Sequence, residues 1–225
     1  MTRKGPAIYI KICGLSTEAS VDAGVAADVD AIGFVFAPRS VRFVEPELAA
    51  TLGRRIPAGI ERVGVFQNAS LTEVRDIARR ARLTTVQLHG TVEDADVHAL
   101  RDEGLRPIRA LSAASFAEFR ASARPAERLL LDAEEPGAGV PFDVTALGGH
   151  RPTGFWLLAG GLTPENVAER IRALSPSGVD VSSGVESERG VKSLARIAAF
   201  VDAVRAAYAE LPDAEPTDAE PAAAR

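Results

Sequence analysis

Cys13 is the only cysteine among the 225 residues, and it closes the apolar run before Lys11-Ile12-Cys13-Gly14 is complete. A free thiol ionises at roughly pH 8.5, so a modest depression would make Cys13 a base near neutrality. The plainer role for a lone cysteine is that of a small buried hydrophobe. Lys11 lies two residues back, on the same face of any strand that contains both. Asp132 follows Leu129-Leu130-Leu131, where an unpaired carboxylate is costly to bury. Burial raises a carboxyl pKa and so keeps a proton ready for donation. A helix cap or a partner for arginine is the alternative for Asp132. His89, in Leu88-His89-Gly90, invites an acid/base reading, against that of a packing or loop-anchoring residue. Asp180, in Val179-Asp180-Val181, is placed to bond a substrate hydroxyl or amine, or to support its loop. Arg39 and Arg42 share the segment Ala37-Pro38-Arg39-Ser40-Val41-Arg42-Phe43. A planar guanidinium there would clamp a carboxylate, although loop arginines are commonly solvated. His98 and His150 look incidental. No metal-ligand spacing and no Ser-His-Asp arrangement is visible.

Two further segments carry no ionisable base but suit an anion. Gly160-Gly161-Leu162-Thr163-Pro164-Glu165-Asn166 allows close backbone approach and opens a helix, whose N-terminus attracts negative charge. Ser182-Ser183-Gly184-Val185-Glu186 adds hydroxyls to the same device. Gly160, Gly161, Ser182, Ser183 and Gly184 are therefore expected to bind one phosphate. No comparable loop stands earlier in the chain for a second phosphate.

These groups need a scaffold that gathers them. Short β-rich runs alternate with helical stretches along the chain, the pattern of parallel strands joined by crossover helices. Strands are expected at 7–13, 31–36, 61–66, 85–88, 106–110, 128–132, 155–159 and 178–181. Helices are expected at 17–27, 45–55, 71–81, 91–103, 115–123, 164–174 and 193–211, with a short turn at 144–147. Eight such units fit a single (β/α)8 TIM barrel, an α/β fold, better than a doubly wound sheet of five or six strands. Catalytic groups in that barrel stand at the C-terminal ends of strands, and phosphate binds after strands 7 and 8. Every candidate named above falls at such a place.

The barrel is expected over residues 1–211, and 212–225, rich in Pro, Ala, Glu and Asp, reads as a disordered tail. A net charge of −5 argues against nucleic acid as a partner. No apolar run reaches the ~18 residues of a membrane span. The lone cysteine fits the reducing cytoplasm, and the sequence leaves monomer and homodimer open.

The chain resembles the phosphoribosylanthranilate isomerase family. The matching segments are Lys11-Ile12-Cys13-Gly14, Gly33-Phe34-Val35-Phe36 with Pro38 and Arg42, Val63-Gly64-Val65-Phe66 and Val86-Gln87-Leu88-His89-Gly90. Leu131-Asp132, Gly160-Gly161-Leu162-Thr163-Pro164-Glu165-Asn166-Val167 and Val179-Asp180-Val181-Ser182-Ser183-Gly184-Val185-Glu186 complete the set, in order. The resemblance implies an Amadori rearrangement of N-(5-phosphoribosyl)anthranilate in tryptophan biosynthesis. It implies Cys13 as general base at the ribose C2, Asp132 as general acid at the ring oxygen, and Arg42 on the anthranilate carboxylate. Lys11, His89 and Asp180 join Arg42 as expected substrate-binding residues. No metal or organic cofactor is implied, because the anthranilate nitrogen itself forms the iminium electron sink.

One stretch departs from the family pattern, a Gly-Gly-Thr/Ser-Gly loop followed by Phe-Asp-Trp. Here it reads Pro136-Gly137-Ala138-Gly139-Val140-Pro141-Phe142-Asp143-Val144, a stiffer version that bears on turnover more than on reaction type. The histidine-pathway isomerase would need a carboxylate base on strand 1 and a second phosphate loop. Indole-glycerol-phosphate synthase or the tryptophan synthase α chain would need a different set of acids and bases. A barrel that only binds phosphate would have lost Cys13 or Asp132.

Overall fold

Strands buried on both faces need a neighbour on each edge and cover on each side, and a closed parallel barrel sheathed in helices supplies both. The computed structural model of the protein, which describes residues 8–121, 127–133 and 142–211, has this form. Its eight barrel strands are β1 (Tyr9–Cys13), β2 (Ala31–Val35), β3 (Glu61–Gln67), β4 (Thr85–His89), β5 (Arg106–Leu111), β6 (Arg128–Leu131), β7 (Trp156–Leu158) and β8 (Gly178–Val181). They pair in sequence order, all parallel, and β1 closes on β8 with Lys11 opposite Asp180. Helices α1 (Glu18–Ala26), α2 (Pro46–Gly53), α3 (Leu71–Arg80), α4 (Asp94–Asp102), α5 (Ala113–Ala121), α6 (Val167–Leu174) and α7 (Leu194–Ala209) lie outside. Among the described residues between β6 and β7 stands a 3₁₀ turn at Val144–Leu147.

The TIM barrel expected from the alternation is therefore present, with small boundary differences. His89 ends β4 instead of following it, and Asp132 stands one residue past β6. Helix α6 begins at Val167, because Thr163 and Asn166 form a turn before it, with the Asn166 Oδ1 accepting from the Thr163 N–H at 2.8 Å. Two features after β8 were not anticipated: a 3₁₀ turn at Ser183–Val185 and an antiparallel ribbon of β9 (Glu186–Glu188) and β10 (Val191–Lys192). The Pro136–Gly139 loop and the 212–225 tail lie outside the described residues.

Side-chain alternation splits the interior into separate layers. Outward residues such as Ile10, Ile12, Ile32, Phe34, Val179 and Val181 join the helices in one large core. Inside the barrel, Ile108, Ala110, Leu130, Leu157 and Ala159 fill the half under β5 to β7. Cys13, Val35 and Val65 form a small cluster of their own on the opposite side.

The N-terminal floor is polar and built around one carboxylate, with the Tyr9 hydroxyl and Arg128 Nε left without a hydrogen-bond partner among the described residues. Arg128 reaches Glu61 with two bonds of 3.0 Å and stacks 4.8 Å above the Phe155 ring. The Thr85 hydroxyl donates to the same carboxylate, and Arg106 adds a contact at 3.3 Å. Burial pushes the Glu61 carboxyl up, but the Arg128 charge and these bonds outweigh it and hold the pKa below its ordinary range. Its stabilisation is present above the unfolded pKa near 4.3 and is lost as pH falls. Breaking a buried pair strands the other charge, so Arg128→Met should cost on the order of 3 kcal/mol of stability. Denaturant titration should show that loss while the folded fraction keeps its turnover number, since the floor is remote from the C-terminal rim.

Candidate active site

The expected site residues gather at the C-terminal rim and just beneath it. On β1, Lys11 and Cys13 share the inward face. Lys11 is wholly buried, and its Nζ donates to Asp180 Oδ1 at 2.8 Å. Burial works to lower the Lys11 pKa, yet Asp180 and Cys13 outweigh it and hold the ammonium charged. Asp180 thus places one carboxylate oxygen on Lys11, beneath the rim, where the sequence suggested a reach toward substrate or support of the loop.

Cys13 differs from expectation in one respect. Its thiol pKa is raised, not depressed: burial among Val35 and Val65 pushes it up, and the pull of Lys11 and Lys192 does not fully offset that and the push of Asp180. Gly33 on β2 leaves room for the sulfur, since a Cβ there would stand 3.0 Å from Sγ.

Asp132 behaves as a protonated acid. Burial first, and the Asp180 charge second, push its pKa up to about 7, against a bond from the Ala133 N–H to Oδ1 at 2.8 Å. His89 is the reverse: burial, with the nearby Lys11 charge, pushes its pKa down to about 4, so the imidazole is neutral. The Gln87 amide Nε2 lies 2.7 Å from His89 Nε2 and orients the ring. Arg39, His98 and His150 are exposed.

Arg42 packs over Gly14, whose φ of +75° and missing side chain admit it; a Cβ would meet the arginine Cδ at 2.7 Å. Its Nε and Nη2 donate to the two oxygens of Glu186 at 2.6 and 2.9 Å. Lys192 donates to Glu186 Oε1 at 2.8 Å and to the Ser182 carbonyl at 2.7 Å. Burial pushes the Glu186 carboxyl up, but the bonds from Arg42, Lys192 and the Gly190 N–H bring its pKa down to about 2. The sequence reading singled out Arg42 and quoted Glu186 only within a loop; it missed Lys192. The turn signal Arg189-Gly190, with Gly190 at φ +88°, was available and marks the hairpin that brings Lys192 back.

The two glycine-bearing loops pack on one another. Gly160 and Gly161 adopt φ of +82° and +60°, and Asn166 Nδ2 donates to the Gly161 carbonyl at 2.9 Å. A Cβ on Gly184 would run into the Leu162 carbonyl oxygen. Arg196 of α7 clasps both loops, donating from Nε to the Gly184 carbonyl and from Nη1 and Nη2 to Glu165, each at 3.0 Å. The Ser182 hydroxyl turns inward, donating to the Cys13 carbonyl at 3.2 Å.

Comparison with known proteins agrees with this geometry. The family described as N-(5'phosphoribosyl)anthranilate (PRA) isomerase matches residues 10–203. The chain belongs to that family. An N-(5'-phosphoribosyl)anthranilate isomerase of Dechloromonas aromatica is 43% identical over 201 residues, covering 88% of this chain and 96% of its own. The crystal structure of TrpF from Jonesia denitrificans aligns with a TM-score of 0.77 at 45% identity, over 90% of this chain and 98% of that one. A phosphoribosyl anthranilate isomerase solved in complex with reduced 1-(o-carboxyphenylamino)-1-deoxyribulose 5-phosphate aligns with a TM-score of 0.75 at 31% identity, over 89% and 100%. The isomerase thus converts N-(5-phosphoribosyl)anthranilate to 1-(2-carboxyphenylamino)-1-deoxyribulose 5-phosphate in tryptophan biosynthesis.

A carboxyl whose folded pKa is raised favours folding fully below its unfolded value and loses that contribution as pH rises through the folded one. Asp132→Asn removes this dependence. Its melting temperature should match the parent near pH 4 and exceed it by roughly 2–6 °C above pH 7. Thermal melts across that range check the expectation.

Proposed function

We propose that Cys13 and Asp132 divide the proton transfers of the isomerisation, and the observation that carries this is a carboxyl protonated up to about pH 7 on the rim that also bears the thiol. Asp132 gives its proton to the furanose ring oxygen as the anthranilate nitrogen expels it. The C1–O bond breaks, an iminium forms at C1, and Asp132 becomes a carboxylate. Cys13 as thiolate then removes the proton from C2, and that electron pair neutralises the iminium as an enolamine. Loss of the C2 hydroxyl proton and gain of one at C1 complete the ketose. A desolvated thiolate is scarce but strongly basic, and the iminium charge favours it at the step that needs it.

The substrate's two ends carry the anchors. Arg42 takes the anthranilate carboxylate, and Gly160, Gly161, Ser183 and Gly184 take the phosphate through their backbone and the Ser183 hydroxyl. Ser182 contributes its backbone, its hydroxyl being directed at Cys13. His89, neutral, serves as a hydrogen-bonding contact, while Lys11 and Asp180 act as the buried charges beneath the reacting carbons. Anchoring at both ends restricts the sugar between acid and base. A thiol that must stay reduced suits a cytoplasmic setting; among the described residues no helix is long and apolar enough to cross a membrane.

Cys13→Ala and Asp132→Asn should each lower kcat on the order of 10²–10⁴-fold in a fluorescence assay of substrate consumption. Wild-type turnover in either would overturn the assignment. Arg42→Ala should raise KM while binding of inorganic phosphate holds. Expression in a tryptophan auxotroph lacking this isomerase should restore growth, with a histidine auxotroph as the contrasting strain.

A further inference from the structure

The β9–β10 ribbon leaves the barrel after β8 and turns back so that Lys192 stands opposite Glu186 in its register. The Lys192 side chain is only 2% exposed, an expensive place for an ammonium without compensation. Its compensation is local: Glu186 Oε1 at 2.8 Å, the Ser182 carbonyl at 2.7 Å and the Ser182 hydroxyl at 3.3 Å. Glu186 in turn accepts four bonds, from Arg42 Nε and Nη2, Lys192 and the Gly190 N–H. Such a carboxylate has its lone pairs filled. Arg42 and Lys192 together outweigh Glu186 by one positive charge. Without Lys192, Glu186 and Arg42 would cancel.

We propose that Lys192 is a positioning residue that keeps the Arg42–Glu186–Lys192 cluster net positive, so that the site receives a substrate bearing a carboxylate. The inference rests on the reading of Arg42 as the carboxylate clamp and of Cys13 as the base. The same ammonium reaches Cys13 through Ser182, which bonds the Cys13 carbonyl at 3.2 Å. The charges that face the thiol are Lys11 on its own strand, Asp180 on β8, Arg42 after β2 and Lys192 on β10. Removing Lys192 deletes one of the positive members and disfavours the thiolate.

Steady-state kinetics of the full chain across pH, with N-(5-phosphoribosyl)anthranilate, test this. Lys192→Met should raise KM about tenfold or more, and should move the acid limb of kcat/KM to higher pH. Lys192→Arg should return both toward wild type. Adding Glu186→Gln to Lys192→Met should recover much of the lost affinity, because the amide no longer cancels Arg42. Inhibition by inorganic phosphate should stay within about twofold throughout. A double variant as poor as Lys192→Met, or a fall in kcat with KM and the acid limb unmoved, would reduce Lys192 to a purely structural role and overturn the proposal. Arg42→Ala separates the two readings: unchanged KM there defeats the clamp itself, whereas raised KM with an unaffected Lys192→Met defeats only the role of Lys192.

Discussion

Lys11 and Asp180 meet at 2.8 Å inside the barrel, and the protonation of the rim is set relative to that pair. Neither charge is exposed, so each acts on its neighbours through the low-dielectric protein, where a Coulomb term is far stronger than through water. Asp180 helps keep the Asp132 carboxyl protonated; Lys11 helps keep the His89 imidazole neutral and pulls on the Cys13 thiol against burial. Burial is the first cause of all three shifts, and the Lys11–Asp180 pair adds its charges to each.

The two faces of the barrel use buried charge differently. On the floor, Arg128, Thr85 and Arg106 all converge on Glu61, and Arg128 lies over the rings of Tyr9 and Phe155. On the rim, Asp132 accepts one backbone bond and feels the Lys11 charge, but burial and the like charge of Asp180 outweigh both. That imbalance costs stability and keeps a proton where the chemistry wants it.

The barrel itself was legible because its strands are short apolar runs at regular spacing, and the rim because Cys13, His89, Asp132 and Asp180 close or nearly close those runs. Gly160-Gly161 and Ser182-Ser183-Gly184 announced themselves by composition. What escaped was pairing across long stretches of sequence. Nothing near Asp180 says that its carboxylate meets Lys11, and nothing near Glu61 announces Arg128. The sign of the Cys13 shift escaped for a related reason: a lysine two residues away is visible in sequence, whereas the Val35 and Val65 that desolvate the sulfur come from other strands. Lys192 was missed because Val191-Lys192-Ser193 resembles a solvated helix entry until the ribbon folds it back.

The closing seam has a further consequence for how the chain is made. Lys11 and Asp180 are separated by 169 positions, so during synthesis β1 waits as an open edge until the last barrel strand emerges. An open, apolar strand edge invites pairing with another chain, and an unpaired charge pointing from it discourages such pairing. Only β8 brings the counter-charge that lets Lys11 be buried, so the step that seals the barrel also completes the buried pair beneath the rim.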